Sequence, residues 1–399
     1  MGWSAAALLE ALNTALEAQL AAAVDLRHRL HRNPCVSGQE EAAAALLAAE
    51  LGMAVQPVAG TGFIARTGPG DCPVVGIRAE LDALPVHETT GVPWAAVNGA
   101  MHACGHDVHQ AALVAFTRAA AGLRLPAAVA AIAQPREEGP PSGASDIVDE
   151  GVLESAGIEA VLAVHVHPGL PAGAVSIGSG AVNAAYDEFE ITVHGRGGHS
   201  AYPHTAIDPV PIAARITLAL YDLVRSSVSP VEPAVLGVGQ LAAGSAANVI
   251  PDSAVLRGTV RTMTGAAQDR MHKGLREAAR HIARASGARA TVSITRGEPV
   301  LVNDDALARH AAYWLERAGL PLAEPLRSCG SDDFSFFTQR IPGLMAFLGV
   351  DSSAAADGSP PTLHSSSFLP ADAAVEHAAR AMAAMYVGAV RKLGLVGEA

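Results

Sequence analysis

The apolar residues of this chain change their spacing twice, and that pattern constrains the fold more than any other feature. Short apolar runs at Ala54–Val58, Gly62–Arg66, Pro73–Leu81, Ala127–Ala133 and Ala160–Val166 read as strands. Between and around them lie helical patterns at Leu8–His31, from Ser37-Gly38-Gln39-Glu40 through Leu51, and at Val108–Leu123. Strands alternating with helices predict an α/β layered domain with a mostly parallel sheet. Near Ala184 the pattern switches. Strands at Tyr186–His194, Ala234–Ala242, Val249–Met263 and Ala290–Arg296 and helices at Ala206–Val224 and Ala266–Ala285 follow a β-α-β-β-α-β order. The α/β pattern then resumes with a helix at Ala306–Ala318, a strand at Met345–Val350 and a long helix after Pro370. The expected organisation is one layered domain from residues 1–183 and 298–399, with a ferredoxin-like α+β domain, residues 184–297, inserted into it.

Composition narrows the function. Lys plus Arg is 27 and Asp plus Glu is 39, a formal charge of −12 over 399 residues. Only Lys273 and Lys392 are lysines. An acidic chain without a basic run is a poor partner for nucleic acid or an anionic membrane surface. Aromatics at 4% argue against base-stacking platforms. Four cysteines in so long a chain do not make a disulfide scaffold, and a cytoplasmic location is expected. No apolar run reaches the roughly 18 residues that cross a bilayer.

The sixteen histidines are unevenly spread. His102-Ala103-Cys104-Gly105-His106-Asp107-Val108-His109 packs three His, one Cys and one Asp into eight positions. Thiolate and imidazole both ligate first-row divalent metals. Cys104 and His106, two apart, suit a loop wrapping an ion, with Gly105 allowing the turn and Asp107 capping the next helix. Gln134-Pro135-Arg136-Glu137-Glu138-Gly139 leaves an apolar strand at its carboxyl end, where ligands of α/β sheets collect. One of its carboxylates can bind a metal while the other shuttles a proton. His165 ends a further apolar strand, and His364 precedes the last helix. Together these residues suit one or two ions of the Mn, Zn, Co or Ni type.

These stretches resemble a known family. The order Arg27–Pro34, Ile77–Pro85, His102–His109, Gln134–Gly139, Gly195–Ala201, Asn248–Asp252 and Ser331–Ser335 is similar to that of the hippurate hydrolase and indoleacetyl-amino-acid hydrolase branch of the aminoacylase-type metallopeptidases. The resemblance spans nearly the whole chain. It implies Cys104, His106, Glu138, His165 and His364 as metal ligands, Glu137 as general base, and His199 as a histidine of the inserted domain reaching a substrate carbonyl, in related enzymes from the neighbouring subunit. It also implies substrate contacts from Asn248 and Arg261, the latter suited to a bidentate grip on a carboxylate. Asp82 is expected to orient a ligand rather than bind an ion. Three positions depart from the family pattern: Glu80 and Asp332 stand where Asp and Glu are usual, and Cys35 stands where Glu is common.

The expected activity is metal-dependent hydrolysis of a small N-acyl amino acid, such as an N-acetyl or N-benzoyl conjugate, by a homodimer formed through the inserted domain. A metallo-dipeptidase or exopeptidase on the same site is the alternative. A non-catalytic metal-binding homologue is disfavoured, because loss of the base would be the simplest route to inactivity and Glu137 is present.

Overall fold

A computed structural model describes residues 3–68, 70–352 and 362–397, in two compact units. The first comprises residues 1–180, 302–326 and 336–399; the second comprises residues 181–301 and 327–335. No described helix is long and apolar enough to cross a membrane.

The first unit is a layered α/β structure on an eight-stranded sheet. Its order is Val55–Val58, Gly62–Thr67, Ala128–Gln134, Val74–Glu80, Ile158–His167, Gly343–Gly349, Val175–Ser176, Leu322–Ala323. The four central strands are mutually parallel. Ala128–Gln134, Val74–Glu80 and Gly343–Gly349 are buried along their whole length, as strands covered on both faces must be. Two helices fill the core: His106–Ala121 and Ala373–Lys392, each buried on nearly every face. Alanine-rich surfaces let such helices approach closely. A Cβ at Gly388 would stand 2.8 Å from the backbone nitrogen of Ala311 on the neighbouring helix Asp305–Arg317, so only glycine fits there.

The second unit is an antiparallel sheet ordered Ala234–Ala243, Ser253–Thr262, Ala185–His194, Arg289–Arg296, with helices Pro209–Ser227 and Gly265–Ala285 on one face. Phe189, Ile191 and Val193, at alternate positions, point into the layer with Ile216, Leu220, Met271 and Leu275.

Several boundaries differ from the sequence reading. The helix expected over Leu8–His31 is two, Ala5–Glu17 and Leu20–Arg32. The strand expected over Val249–Met263 is divided at Pro251, which cannot donate to a ladder. The helix expected from Val108 starts at His106, and Asp107 does not cap it, because its Oδ2 is taken by Arg27 Nε (3.1 Å) and His31 Nδ1 (2.9 Å).

Candidate active site

The sheet brings three loops to one edge of the first unit. Val74–Glu80, Ala128–Gln134 and Ile158–His167 run parallel, so their carboxyl ends deliver Asp82, the Glu137-Glu138 pair and His165 to the same side. Cys104 and His106 come from the start of helix His106–Ala121. Gly105 between them has φ +84°, and a Cβ there would lie 2.4 Å from Val166 Cγ2. Both facts require glycine.

Cys104, His106 and Glu138 each offer a ligand atom, all within 4.8 Å of one another. His165 Nε2 is 3.5 Å from Cys104 Sγ, and His364 Nε2 is 3.3 Å from Glu138 Oε1. Glu137 Oε2 lies 3.8 Å from His106 Nε2. The five expected ligands and Glu137 therefore converge, drawn from positions spread over 260 residues of chain.

Hydrogen bonds fix which lone pairs face inward. His106 Nδ1 donates to the Asp82 carbonyl oxygen at 2.9 Å and His165 Nδ1 to the Val166 carbonyl oxygen at 2.7 Å, which leaves Nε2 of each as the inward nitrogen. His106 Nε2 and Glu138 Oε1 are buried and make no hydrogen bond. Orphaned buried polar atoms of this kind are costly unless something satisfies them. The imidazole nitrogen of His106, the Cys104 thiol and the Glu138 carboxylate, with His165 beside the thiol, form a donor set that fits a divalent transition ion.

The electrostatics agree. Burial opposes a positive charge on His106, yet the carboxylates of Glu80, Asp82 and Glu138 raise its pKa to about 10. Burial, reinforced by Glu138, Glu137 and Glu80, pushes the Cys104 thiol well up. Burial pushes His165 well down, so its imidazole stays neutral. The site is an acidic, largely buried hollow that favours a cation.

Asp82 touches three parts of this hollow. Its Oδ2 accepts from Ser37 Oγ (2.7 Å) and from the Glu138 backbone N–H (2.8 Å), and its Oδ1 lies 3.6 Å from His106 Nδ1. Glu40, fully buried, holds the other side of the loop. Its Oε1 accepts from the N–H groups of Gly38 (2.8 Å) and Arg136 (2.9 Å), and its Oε2 from Thr61 Oγ1 (2.7 Å). Arg136 has φ +51° and His364 φ +67°, so left-handed non-glycine residues flank the site on two sides.

Part of this surrounding machinery is absent from the sequence reading. Arg27 and His31, four apart on one helix face, clamp the buried Asp107 next to His106. The i, i+4 spacing of two basic residues within Arg27–Pro34 is the available signal. No pattern pointed to Glu40.

A family model described as Peptidase family M20/M25/M40 matches residues 76–386. The chain belongs to this family. In M20 terms, it is an amide-cleaving hydrolase. The N-acetyl-L-cysteine deacetylase of Bacillus subtilis is 36% identical over 347 residues, covering 84% of this chain and 81% of that one. IAA-amino acid hydrolase ILR1-like 2 of Arabidopsis thaliana is 34% identical, covering 82% of this chain and 76% of that one. The Bacillus subtilis YXEP protein, a dinuclear metal-binding peptidase of the M20 family, superposes with a TM-score of 0.82 at 30% identity, covering 94% and 99% of the two chains.

The second unit of this M20 chain carries His199, Asn248 and Arg261. His199 and Asn248 are exposed neighbours: His199 pairs with Val249 in a two-stranded ladder, and Ser200 N–H donates to Asn248 O at 3.1 Å. Arg261 stands at the other end of the sheet, opposite Tyr186, with its guanidinium 4.7 Å from that ring and Nη1 donating to the Cys329 carbonyl at 3.1 Å.

Proposed function

We propose that this M20-family chain hydrolyses the amide bond of small N-acyl amino acids, releasing a carboxylic acid and a free amino acid. The observation that carries the reading is the convergence of Cys104, His106 and Glu138 within 4.8 Å, with Glu137 beside them and His165 and His364 at the rim. The deacetylase and amino-acid-conjugate hydrolase relatives support the substrate class.

In this reading Cys104, His106, Glu138, His165 and His364 hold one or two divalent ions. Such ions supply Lewis acidity to an amide carbonyl and acidify water. Glu137 accepts a proton from the attacking water and returns it to the leaving nitrogen. Asp82 orients His106 and the Glu138 main chain. His199 donates to the oxyanion, Asn248 contacts the substrate, and Arg261 grips its carboxylate; these three roles rest on the family resemblance.

A homodimer through the second unit is part of the same reading. Ser253 to Arg261 spans about 27 Å of strand at 3.4 Å per residue, and His199 lies beyond the Ser253 end. An N-acyl amino acid is far shorter, which supports one of the two residues coming from a second copy. The outer strand Ala234–Ala243 exposes Val235 and Leu241, and the adjoining helix exposes Leu218 and Tyr221, an apolar edge suited to pairing.

Glu137→Gln tests the reading. The variant should retain bound metal while kcat on N-acetyl or N-benzoyl amino acids falls by about 100-fold or more. Near-wild-type turnover would remove the base assignment, and preference for free dipeptides over N-acyl substrates would favour an exopeptidase.

A further inference from the structure

Beside the proposed ligands lies a second group that resembles a metal site. Glu80, His106, His109 and His165, all buried, offer ligand atoms within 4.8 Å of one another. The hydrogen bonds of His109 exclude that use of it. The Val166 backbone N–H, which can only donate, lies 3.0 Å from His109 Nε2, so Nε2 is the acceptor. Nδ1 therefore carries the proton and donates to Glu80 Oε2 at 2.8 Å. No lone pair is left for an ion.

The geometry points to His109 as a positioning residue that aims His165 through the peptide of Val166. The pairing of Ile158–His167 with Val74–Glu80 ends at Ala163, so the Val166 N–H meets an imidazole in place of a main-chain oxygen. The carbonyl of the same residue accepts from His165 Nδ1 at 2.7 Å. Val166 is thus gripped at its N–H by one imidazole and at its C=O by the next. The first grip holds the His165–Val166 peptide; the second, on the carbonyl of the Val166–His167 peptide, sets the tautomer of His165 and turns its Nε2 toward Cys104, 3.5 Å away. Val166 also packs against Gly105, between Cys104 and His106.

His109 is held in turn from below. Glu80 Oε1 pairs with Arg78, and Arg78 Nε donates to Gln134 Oε1 at 2.7 Å. Gln134 is the last residue of the strand that leads to Glu137 and Glu138. The buried chain Gln134–Arg78–Glu80–His109–Val166 therefore ties the two ligand-bearing strand ends together. Groups behind a metal ligand commonly change metal affinity by about 10- to 100-fold when removed.

The inference rests on His165 being a metal ligand, and paired variants of the full-length protein test it. In His109→Gln the carboxamide oxygen reaches the position of Nε2 and can still accept from Val166, but the donor to Glu80 is lost. In His109→Asn the amide nitrogen sits near Nδ1 and can still donate to Glu80, but nothing reaches Val166. Each is loaded with Co(II); the absorption spectrum and the Co(II) dissociation constant, by chelator competition, are read without substrate, and kcat and KM separately. The expected result is that His109→Asn shifts the spectrum, weakens Co(II) about 10-fold or more and lowers kcat with KM little changed, while His109→Gln keeps the spectrum and binds Co(II) within about threefold of wild type. Equal behaviour of the two variants, or an unaltered spectrum in His109→Asn, overturns the inference. Should His109→Asn not fold, weakened Co(II) binding by folded His109→Gln overturns it alone, and retained binding supports it. A wild-type protein that takes up no Co(II) overturns the metal-site reading as well, which separates the two failures.

Discussion

Arg27 Nε donates to Asp107 Oδ2 across 3.1 Å, and both side chains are wholly excluded from solvent. The pair does not stand alone. His31 Nδ1 reaches the same oxygen at 2.9 Å, and the other guanidinium nitrogens of Arg27 reach Asp372 Oδ1 (2.7 Å) and the Pro370 carbonyl (2.6 Å). A helix near the start of the chain is thereby bolted to the residue after His106 and to the segment leading into the last helix. Removing one partner of a buried pair leaves the other charge uncompensated, at a typical cost of about 3–5 kcal/mol. Asp107→Ala should lose stability of that order in urea unfolding. A loss under about 1 kcal/mol would mean that the pair is not an anchor.

The same network predicts a pH dependence. Burial works against a charge on His31, but Asp107 and Glu88 overcome it and raise its pKa to about 9, from an ordinary 6.5. A raised pKa means that the folded state binds the proton more tightly. The stabilisation is complete below about pH 6.5 and fades as pH rises through about 9. At about 1.4 kcal/mol per unit, the gap corresponds to about 3 kcal/mol. The urea midpoint should drop between pH 6.5 and pH 9.5, and His31→Gln should be less stable at pH 6.5 and flatter across that window. An equally steep fall in the variant would assign the dependence to another group.

Gly105→Ala should be damaging beyond its size. The added methyl meets Val166 Cγ2 at 2.4 Å, and the φ of +84° is one that alanine avoids. Strain and overlap together should cost about 2–4 kcal/mol, with bound metal falling as Cys104 and His106 are displaced. Thermal unfolding alongside metal analysis of the purified variant checks both effects.

Chelation should abolish amide hydrolysis, and re-addition of Mn, Zn, Co or Ni should restore it to different extents. Cys104→Ser replaces a buried soft donor with a hard one and should shift the preference away from Zn and Co. Activity that survives exhaustive chelation, with metal absent by mass spectrometry, would contradict the metal-dependent reading.

The parts of this site legible in the sequence are those whose meaning is local or rides on strand ends. Cys104, Gly105 and His106 are contiguous, and Glu137-Glu138 and His165 each follow an apolar run that ends at the sheet edge, so chemistry and position can be read together. The halves of the layered unit are legible because parallel strands buried on both faces are apolar throughout. The supports are harder to see. Glu40 acts on the Arg136 N–H, 96 residues away, and no composition or period marks a carboxylate that will cap a distant turn. His109 sits in the His-rich stretch beside two proposed ligands, and only the direction of the Val166 N–H separates it from them. Asp107, read as a cap from its position, is claimed by Arg27 and His31 from a helix about 80 residues earlier.

The helix Ala373–Lys392 is buried on nearly every face, packed with His106–Ala121 in the core of a unit whose chain is interrupted by the whole second unit. During synthesis the early strands and helices must therefore wait, with a long apolar trench uncovered, while more than a hundred intervening residues are added. The second unit is continuous enough to fold within that interval. The hollow that gathers Cys104, His106 and Glu138 thus acquires its final shape late, and a chain ending before residue 373 should leave uncovered the apolar surface that this helix buries.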